Sequence, residues 1–299
     1  MRLFIALALV LAPCTPAQKP PDPNEAWRAL VAAYPVTEGE WAAVVRVLSV
    51  ARRSGLDAPE VEKFVGDTWP EQPEKRKLGW PKALRASVAD MERALVDADP
   101  KSVIAEAAMA KDLPDLAKVA ELVLLAAKSG EDPAVVALIT LAEDLRQRGG
   151  IVRAQIGGAI LRDAAMWSAA NAVPVPTLAK IEPQPRDFVA AVAREVIERT
   201  RTAERDVVQR APEGRLTAAH HKLLNELKEF GVERLGKLAE KPDDFGAIEK
   251  ASHWRDGPDA VDHPLIPLVA RDWSNDAQDY QRLIDLLKRW RAGTLKPAR

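Results

Sequence analysis

Residues 188–197 read Phe-Val-Ala-Ala-Val-Ala-Arg-Glu-Val-Ile, and the spacing of the apolar side chains in this stretch decides the fold class. The larger ones recur three or four residues apart, which places them on one face of an α-helix. Two further sets show the same spacing, namely Trp41, Val44, Val45 and Leu48, and Tyr280, Leu283, Ile284, Leu287 and Trp290. Each apolar face must be covered by another element, and no stretch alternates in the manner of a strand. The sequence therefore predicts an all-α protein with well over half of its residues in helices.

Turn-forming residues mark where these helices begin and end. Asp stands shortly before Pro at four predicted helix starts, because Asp accepts hydrogen bonds from free N–H groups and Pro needs no partner in the first turn. These starts are at Asp57, Asp99, Asp112 and Asp132. Gly55, Gly130 and the pair Gly149-Gly150 are expected to take the left-handed conformation that closes a helix. The spacing of starts and stops over 100–170 predicts antiparallel helical hairpins of similar length, and an irregular α-solenoid-like array is one form that such hairpins take.

Gly157 and Gly158 lie inside an apolar helical pattern and lack the following Lys and Ser or Thr of a phosphate-binding loop. A glycine inside a helix usually marks a place where another element comes close. We therefore expect a neighbouring helix to pack on the narrow face formed by Ala154, Gly158, Leu161 and Ala165.

Four prolines between 174 and 185 interrupt the helical pattern. Such a stretch cannot continue a helix, because proline lacks the N–H that the helix needs. The sequence therefore predicts an N-terminal helical domain over 18–170, a Pro-rich linker over 171–185 and a C-terminal helical domain over 186–299. In the alternative, the Pro-rich segment is an extended loop laid across one body. The predicted C-terminal domain should begin with a long helix over 186–210, whose mixed charges suit a solvated surface.

The N-terminus has the features of an export signal. Arg2 precedes the apolar run 3–11, which is too short to span a bilayer, and small residues follow up to Ala17. We expect residues 1–17 to be removed and the mature protein, periplasmic or secreted, to begin at Gln18. In the alternative, residues 11–14 resemble a lipoprotein signal with Cys14 as the acylated residue, although Pro13 stands where that signal has a small residue.

Composition limits the classes of function. The 299 residues are 47% hydrophobic and 29% charged, which is typical of a globular protein. The formal net charge of −1 provides no general attraction for nucleic acid. Cys14 is the only cysteine, so no disulfide framework is available. The sequence also lacks the common dinucleotide, nucleophile-elbow and zinc-protease motifs, and we expect no cofactor.

Residues 253–263 hold the densest group of chemically active side chains. They include His253, Asp256, Asp259, Asp262 and His263, around a Gly-Pro turn. Carboxylates and imidazoles that converge in this way could bind a divalent cation. The alternative interpretation assigns Asp262 to a helix cap before Pro264 and Asp256 to the turn, with no metal bound.

Two other features could serve recognition. Trp69 and Trp80 bracket a polar loop, where they could grip a partner or pin the loop to the core. The C-terminal end is basic, with residues 288–291 reading Lys-Arg-Trp-Arg. It could contact an anionic membrane, but the apolar stripe of the same segment favours packing on the body of the protein.

The adjacent histidines His220 and His221 occupy different helical faces. His220 shares its face with several leucines and is expected in the core, whereas His221 is expected on the surface. Neighbours on a helix do not easily reach one metal ion.

These observations favour an exported, non-catalytic helical interaction or scaffold protein with an unknown protein partner. The alternative is a metal-dependent hydrolase or a metal- or ligand-binding protein that uses residues 253–263. No nucleic-acid partner is expected. Membrane contact, through lipidation of Cys14 or through the basic C-terminus, is a further alternative.

Overall fold

The computed structural model describes residues 23–56, 58–104, 113, 115–211, 215–253, 265 and 272–296. Helices make up 72% of it and strands 2%, so the predicted all-α class is confirmed. The helices are α1 (Pro23–Ala33), α2 (Ala42–Arg53), α3 (Pro59–Thr68), α4 (Lys82–Val96), α5 (Asp115–Ala126), α6 (Pro133–Arg148), α7 (Ile151–Asn171), α8 (Pro176–Ala179), α9 (Pro185–Arg210), α10 (Ala218–Ala239), α11 (Phe245–Ser252) and α12 (Ser274–Arg291). Strands β1 (Glu40–Trp41) and β2 (Val103–Ile104) form one short antiparallel pair.

The chain forms two compact units. The first comprises the described residues within Met1–Val36, Arg148–Ile151 and Gln184–Gln281. The second comprises those within Thr37–Gln147, Val152–Pro183 and Arg282–Arg299. The Pro-rich segment belongs to the second unit up to Pro183 and contains the one-turn helix α8. Whether residues 18–170 and 186–299 fold as independent domains stays a prediction.

A continuous apolar core lies within the second unit. Helix α5 packs against α2, α3 and α4, and α2 also packs against α4. The largest fully buried apolar side chains of this unit include Trp41, Leu48, Met91, Leu95, Leu122 and Trp167. From α12, Leu283 and Leu287 join the same core, and Trp290 packs against it. The apolar stripes that the sequence predicts around Trp41 and Leu283 therefore do face the interior.

The first unit is built around α10, which packs against α1, α9 and α11. A Cβ atom at Gly231 would lie 3.1 Å from the Trp27 ring and 3.3 Å from Val196, so three helices meet at this glycine. The rings of Phe188 and Tyr280 are in contact, with their centroids 5.8 Å apart and their planes tilted by 50°. The long helix expected over 186–210 is α9. The six apolar side chains that form the predicted stripe on this helix are all buried, namely Phe188, Val189, Val192, Ala193, Val196 and Ile197.

The close helix approach predicted at the glycine pair is confirmed, with Gly157 as the tighter position. A Cβ atom there would collide with the carbonyl oxygen of Ala142 and lie 3.1 Å from the backbone nitrogen of Arg146, both on α6. At Gly158 the nearest atom would be Leu283 Cδ2, at 3.0 Å. Helix α7 thus touches α6 through one glycine and the C-terminal part of α12 through the next.

The predicted left-handed glycine is found at only one of the three helix stops. Gly55 has a φ of +67°, as expected for a residue that closes a helix. Gly130 and Gly150 do not have positive φ, and their constraint is steric. A Cβ atom at Gly130 would collide with the carbonyl oxygen of Pro174, and one at Gly150 would lie 2.8 Å from the Glu195 carboxylate. Close approach by a distant backbone segment, rather than backbone conformation, therefore requires glycine at Gly130, whereas the atom nearest to Gly150 is the end of a flexible side chain.

Two of the predicted helix starts also differ from expectation. Asp99 opens a turn that leads into β2, in which its carboxylate accepts from the Lys101 N–H at 3.0 Å. Asp132 directs its carboxylate backwards, to the N–H groups of Lys128 (2.6 Å) and Ser129 (3.2 Å). It therefore closes the turn between α5 and α6 instead of capping α6. Asp57 and Asp112 lie outside the described residues.

The hairpins of similar length expected over 100–170 are not found. Helices α5, α6 and α7 have 12, 16 and 21 residues. A fixed repeat would need equal units that bury equal faces. The α-solenoid-like form of the prediction therefore stays unconfirmed.

A buried polar network ties β1 to α6 and α7. The Trp41 indole N–H donates to Asp144 at 2.6 Å, and Arg153 pairs with Glu40 at 2.7 Å. The Arg153 guanidinium also lies over the Trp41 ring, 5.5 Å from its centroid. Buried charges are tolerated only when they are paired in this way, so the network fixes β1 on the helices.

Candidate functional site

The structure describes only one residue of the predicted metal-binding segment. His253 follows α11, and its Nδ1 lies 3.1 Å from Asp272 Oδ2. Burial alone would raise the pKa of Asp272, but hydrogen bonds from Ser274 and the neighbouring His253 hold that pKa below its usual value. Asp256, Asp259, Asp262 and His263 lie outside the described residues. Within the part of the chain that is described, no group of three or more His, Cys, Asp or Glu side chains could hold a metal ion.

Trp69 and Trp80 are both half-buried and pack against the core of the second unit. The Trp80 ring lies 4.8 Å from that of Phe64, and the Arg85 guanidinium lies 5.1 Å from its centroid. Each tryptophan therefore anchors one end of the intervening loop, while part of each ring remains accessible to solvent.

The loop between the tryptophans is fastened to the C-terminal end of α7. The Gln72 N–H donates to Asn171 Oδ1 at 3.0 Å, and Asn171 Nδ2 donates to the Pro70 carbonyl, also at 3.0 Å. The Lys75 ammonium donates to the carbonyl oxygen of Ala170 at 3.2 Å. The last carbonyls of a helix lack partners within the helix and carry partial negative charge, so a lysine is favourable there.

The C-terminal part of α12 reaches the same end of α7. Trp290 donates from its indole N–H to Ser168 Oγ at 3.0 Å, and Gly293, with a φ of +66°, closes the helix. Ser168 and Ala170 lie within one helical turn, which rises about 5.4 Å. The loop and the end of α12 are therefore neighbours in space, although they are far apart in sequence.

This juxtaposition creates a surface that we call the basic surface. It consists of six exposed side chains, Lys75, Arg76 and Lys77 from the loop and Lys288, Arg289 and Arg291 from α12. Segments 71–82 and 285–296 together hold eight basic and three acidic residues, a net charge of +5, whereas the whole chain carries −1. One of the acids, Glu71, is paired with Arg76 at 2.6 Å. The charge of the protein is thus unevenly distributed, with a concentration of cations at the end of α7.

Each basic run is visible in the sequence, but their convergence is not. In the sequence, the C-terminal run stands out as basic, whereas the loop stands out only as the spacer between Trp69 and Trp80. The signal in the sequence that could have linked them is composition alone, because each segment combines several cations with a tryptophan. Their contact depends on the tertiary fold.

A second group that sequence reasoning missed is a pair of carboxyl groups on α5 and α7. Burial, and next the charge of Asp163, raise the pKa of Glu121 from 4.5 to about 7. Burial also raises the pKa of Asp163, against the opposing effect of Arg162. The available signal was a single acid, Glu121, within the apolar run of α5. Glu121 can therefore exchange a proton near neutral pH.

His220 was predicted to lie in the core, and this prediction is wrong. It is half-exposed near the start of α10, where its Nδ1 accepts from the Thr217 N–H at 3.1 Å. Thr217 Oγ1 accepts in return from the His220 N–H at 3.4 Å, so the two residues form a capping box. His221 is exposed, as predicted.

One prediction and one structural finding concern the membrane. Cys14, the alternative lipidation site, lies outside the described residues. Within the described residues, no helix is both long and apolar enough to cross a membrane.

No family model, curated protein or solved structure matches this chain. The geometry of the basic surface and the chemistry of its side chains are therefore the basis for assigning a function.

Proposed function

We propose that this chain is an exported, non-catalytic helical interaction protein that binds an anionic partner through the basic surface. The single observation behind this proposal is the convergence of the two basic segments at the end of α7. A concentration of +5 on a protein of net charge −1 attracts anions locally without making the whole chain basic.

The framework beneath the surface supports this role. The loop is held by hydrogen bonds from Gln72 and Lys75, and the end of α12 is held by Trp290. The backbone that carries the cations is therefore fixed before binding, while the side chains of Lys77, Lys288, Arg289 and Arg291 are exposed to solvent. Preorganisation lowers the ordering cost of association, and long basic side chains increase the association rate through steering.

Export is part of the proposal. It is supported by the apolar run 3–11 with small residues up to Ala17, which suits cleavage before Gln18. The mature protein would then be periplasmic or secreted. Acylation of Cys14 is the alternative and would add a lipid anchor.

The test uses a negatively charged probe of known composition, poly-L-glutamate, at low ionic strength. We expect the protein to bind it, with affinity falling as salt is added. The variant Lys288→Gln/Arg291→Gln should bind much more weakly. The matched control is Lys241→Gln/Lys250→Gln, which removes two exposed lysines of the first unit and should bind as the unmodified protein does. Equal loss in both variants would refute a localised binding surface.

The alternative function is a metal-dependent hydrolase or metal- or ligand-binding protein that uses residues 253–263. One observation favours it, because Asp272 contacts Nδ1 of His253 and leaves Nε2 of that ring for another partner. Carboxylates orient metal-binding imidazoles in this way. A metal-dependent rise in melting temperature would support this alternative.

A further inference from the structure

The loop of the basic surface carries an exposed apolar residue among its cations. Leu78 directly follows Lys75, Arg76 and Lys77 and is 39% exposed. Its N–H donates to the Pro73 carbonyl at 2.8 Å, and the Lys77 N–H donates to Glu74 at 3.1 Å. The loop is therefore a hydrogen-bonded turn that holds the leucine side chain partly in water.

Half-buried tryptophans lie on the two segments that carry the cations. Trp69 and Trp80 lie at its ends, and Trp290 lies on the neighbouring helix. All three pack part of the ring on the core and leave part accessible. Tryptophans with one apolar and one polar environment are typical of the boundary between a membrane and water.

The combination fits a lipid surface better than a folded acidic protein. Tight protein interfaces rely on fully buried aromatic or arginine anchors that fill pockets. Here the cations are long, exposed side chains on two segments, and the exposed apolar group is a single leucine. An array of anionic headgroups requires no fixed pairing with each cation, and it can accept a shallowly inserted apolar side chain.

We propose that the anionic partner is a lipid bilayer, on which the basic surface docks with Leu78 inserted among the headgroups. This inference rests on the proposed function, which requires only an anionic partner. The cations would contact lipid phosphates, and the charge on the lipids would determine affinity.

Sedimentation with lipid vesicles tests the inference. The protein recovered after export is mixed with phosphatidylcholine vesicles that contain about a third phosphatidylglycerol, or with pure phosphatidylcholine vesicles as the neutral reference. The intact mass of the recovered protein establishes whether the chain begins at Gln18. If that mass shows an acyl group, the Cys14→Ser variant is used in the assay instead of the unmodified protein. We expect binding to the anionic vesicles only, with affinity falling as salt is added.

Three variants separate the contributions. Lys77→Gln should weaken vesicle binding about five-fold and Lys288→Gln/Arg291→Gln about 25-fold, since each cation near an anionic bilayer contributes about five-fold. Leu78→Ser should weaken vesicle binding about five-fold while leaving poly-L-glutamate binding unchanged. The control Lys241→Gln/Lys250→Gln should bind vesicles normally. Because the two basic variants alter different segments, misfolding of one leaves the other informative.

The outcomes distinguish the two proposals. Binding of poly-L-glutamate without binding of anionic vesicles would overturn the bilayer inference and leave the proposed function standing. Binding of neither probe would overturn both. Equal binding to neutral and anionic vesicles, or an equal effect of Leu78→Ser on the two probes, would also overturn the bilayer inference.

Discussion

Removing the charge of Glu121 should stabilise the protein at alkaline pH and have little effect in acid. Glu121 lies on α5 near Asp163 of α7, and its pKa is raised from 4.5 to about 7 by burial and then by the charge of Asp163. Between these two pH values the folded state holds a proton that the unfolded state has lost. Stability therefore falls as pH rises through this interval, and the full cost of the ionised group is present above about pH 7.

The size of the effect follows from the shift. A shift from 4.5 to about 7 would correspond to at most about 3.4 kcal/mol. Glu121 is only half-buried, and water screens its charge, so about 1–2 kcal/mol is the realistic magnitude. Glutamine keeps the shape of the side chain and carries no charge at any pH. Glu121→Gln should thus raise the free energy of unfolding by about 1–2 kcal/mol at pH 8 and by only a few tenths at pH 5.

Urea unfolding at pH 5 and pH 8, followed by far-ultraviolet circular dichroism, measures this difference. The matched control is Glu229→Gln, on the exposed surface of α10, which should change stability little at either pH. A Glu121→Gln protein no more stable than the unmodified one at pH 8 would refute the reasoning. So would a gain of the same size at both pH values, because a change in packing alone does not depend on pH.

Two further sets of experiments test helix packing and metal binding. Gly157→Ala should lower the free energy of unfolding by about 1–3 kcal/mol, because the added methyl group meets the α6 backbone. Gly66→Ala is its control on α3, where no atom lies within 4 Å of the added group, and it should be neutral or stabilising by up to about 1 kcal/mol. Zinc, calcium, magnesium and manganese should leave the melting temperature unchanged. If Asp262 is the helix cap that the sequence predicts, Asp262→Ala should cost about 0.5–2 kcal/mol, and His253→Ala should cost at most about 1 kcal/mol. Thermal unfolding measures the effect of each variant and of each metal ion. A metal-dependent rise in melting temperature that is abolished by His253→Ala would contradict the prediction that no metal binds.

Helical periodicity predicted the core well because it depends on local spacing. Every apolar residue of the stripe over 188–197 is buried, and the class of fold follows from such stripes. Gly55 was equally predictable, since its left-handed φ is a property of its own turn. Local patterns are sufficient wherever the physical constraint is local.

Positions whose constraint comes from distant residues could not be predicted in the same way. Gly130 is required by the carbonyl oxygen of Pro174, and Asp132 turns back to Lys128 instead of capping its own helix. His220 was expected in the core because it shares a helical face with several leucines, but α10 begins at Ala218, so His220 lies in its first turn. In this first turn the His220 ring completes the capping box with Thr217 instead of entering the core.

The candidate site shows the same division. The sequence displayed both basic runs, but only tertiary contacts at Ser168 and Ala170 bring them together. Residues 253–263 drew attention because histidines and aspartates are clustered in sequence. Clustering in sequence does not establish convergence in space, and among those residues the structure describes only His253.

Helix α7 connects the packing of the second unit to the basic surface. Gly157 and Gly158 fix α7 against α6 and the C-terminal part of α12, and Asn171 at its end holds the basic loop. A packing variant such as Gly157→Ala should therefore reduce vesicle binding only to the extent that it unfolds the protein. Lys288→Gln/Arg291→Gln should reduce binding with stability nearly unchanged, since both side chains are exposed. Measuring binding and unfolding on the same two variants separates the surface that binds from the helix that supports it.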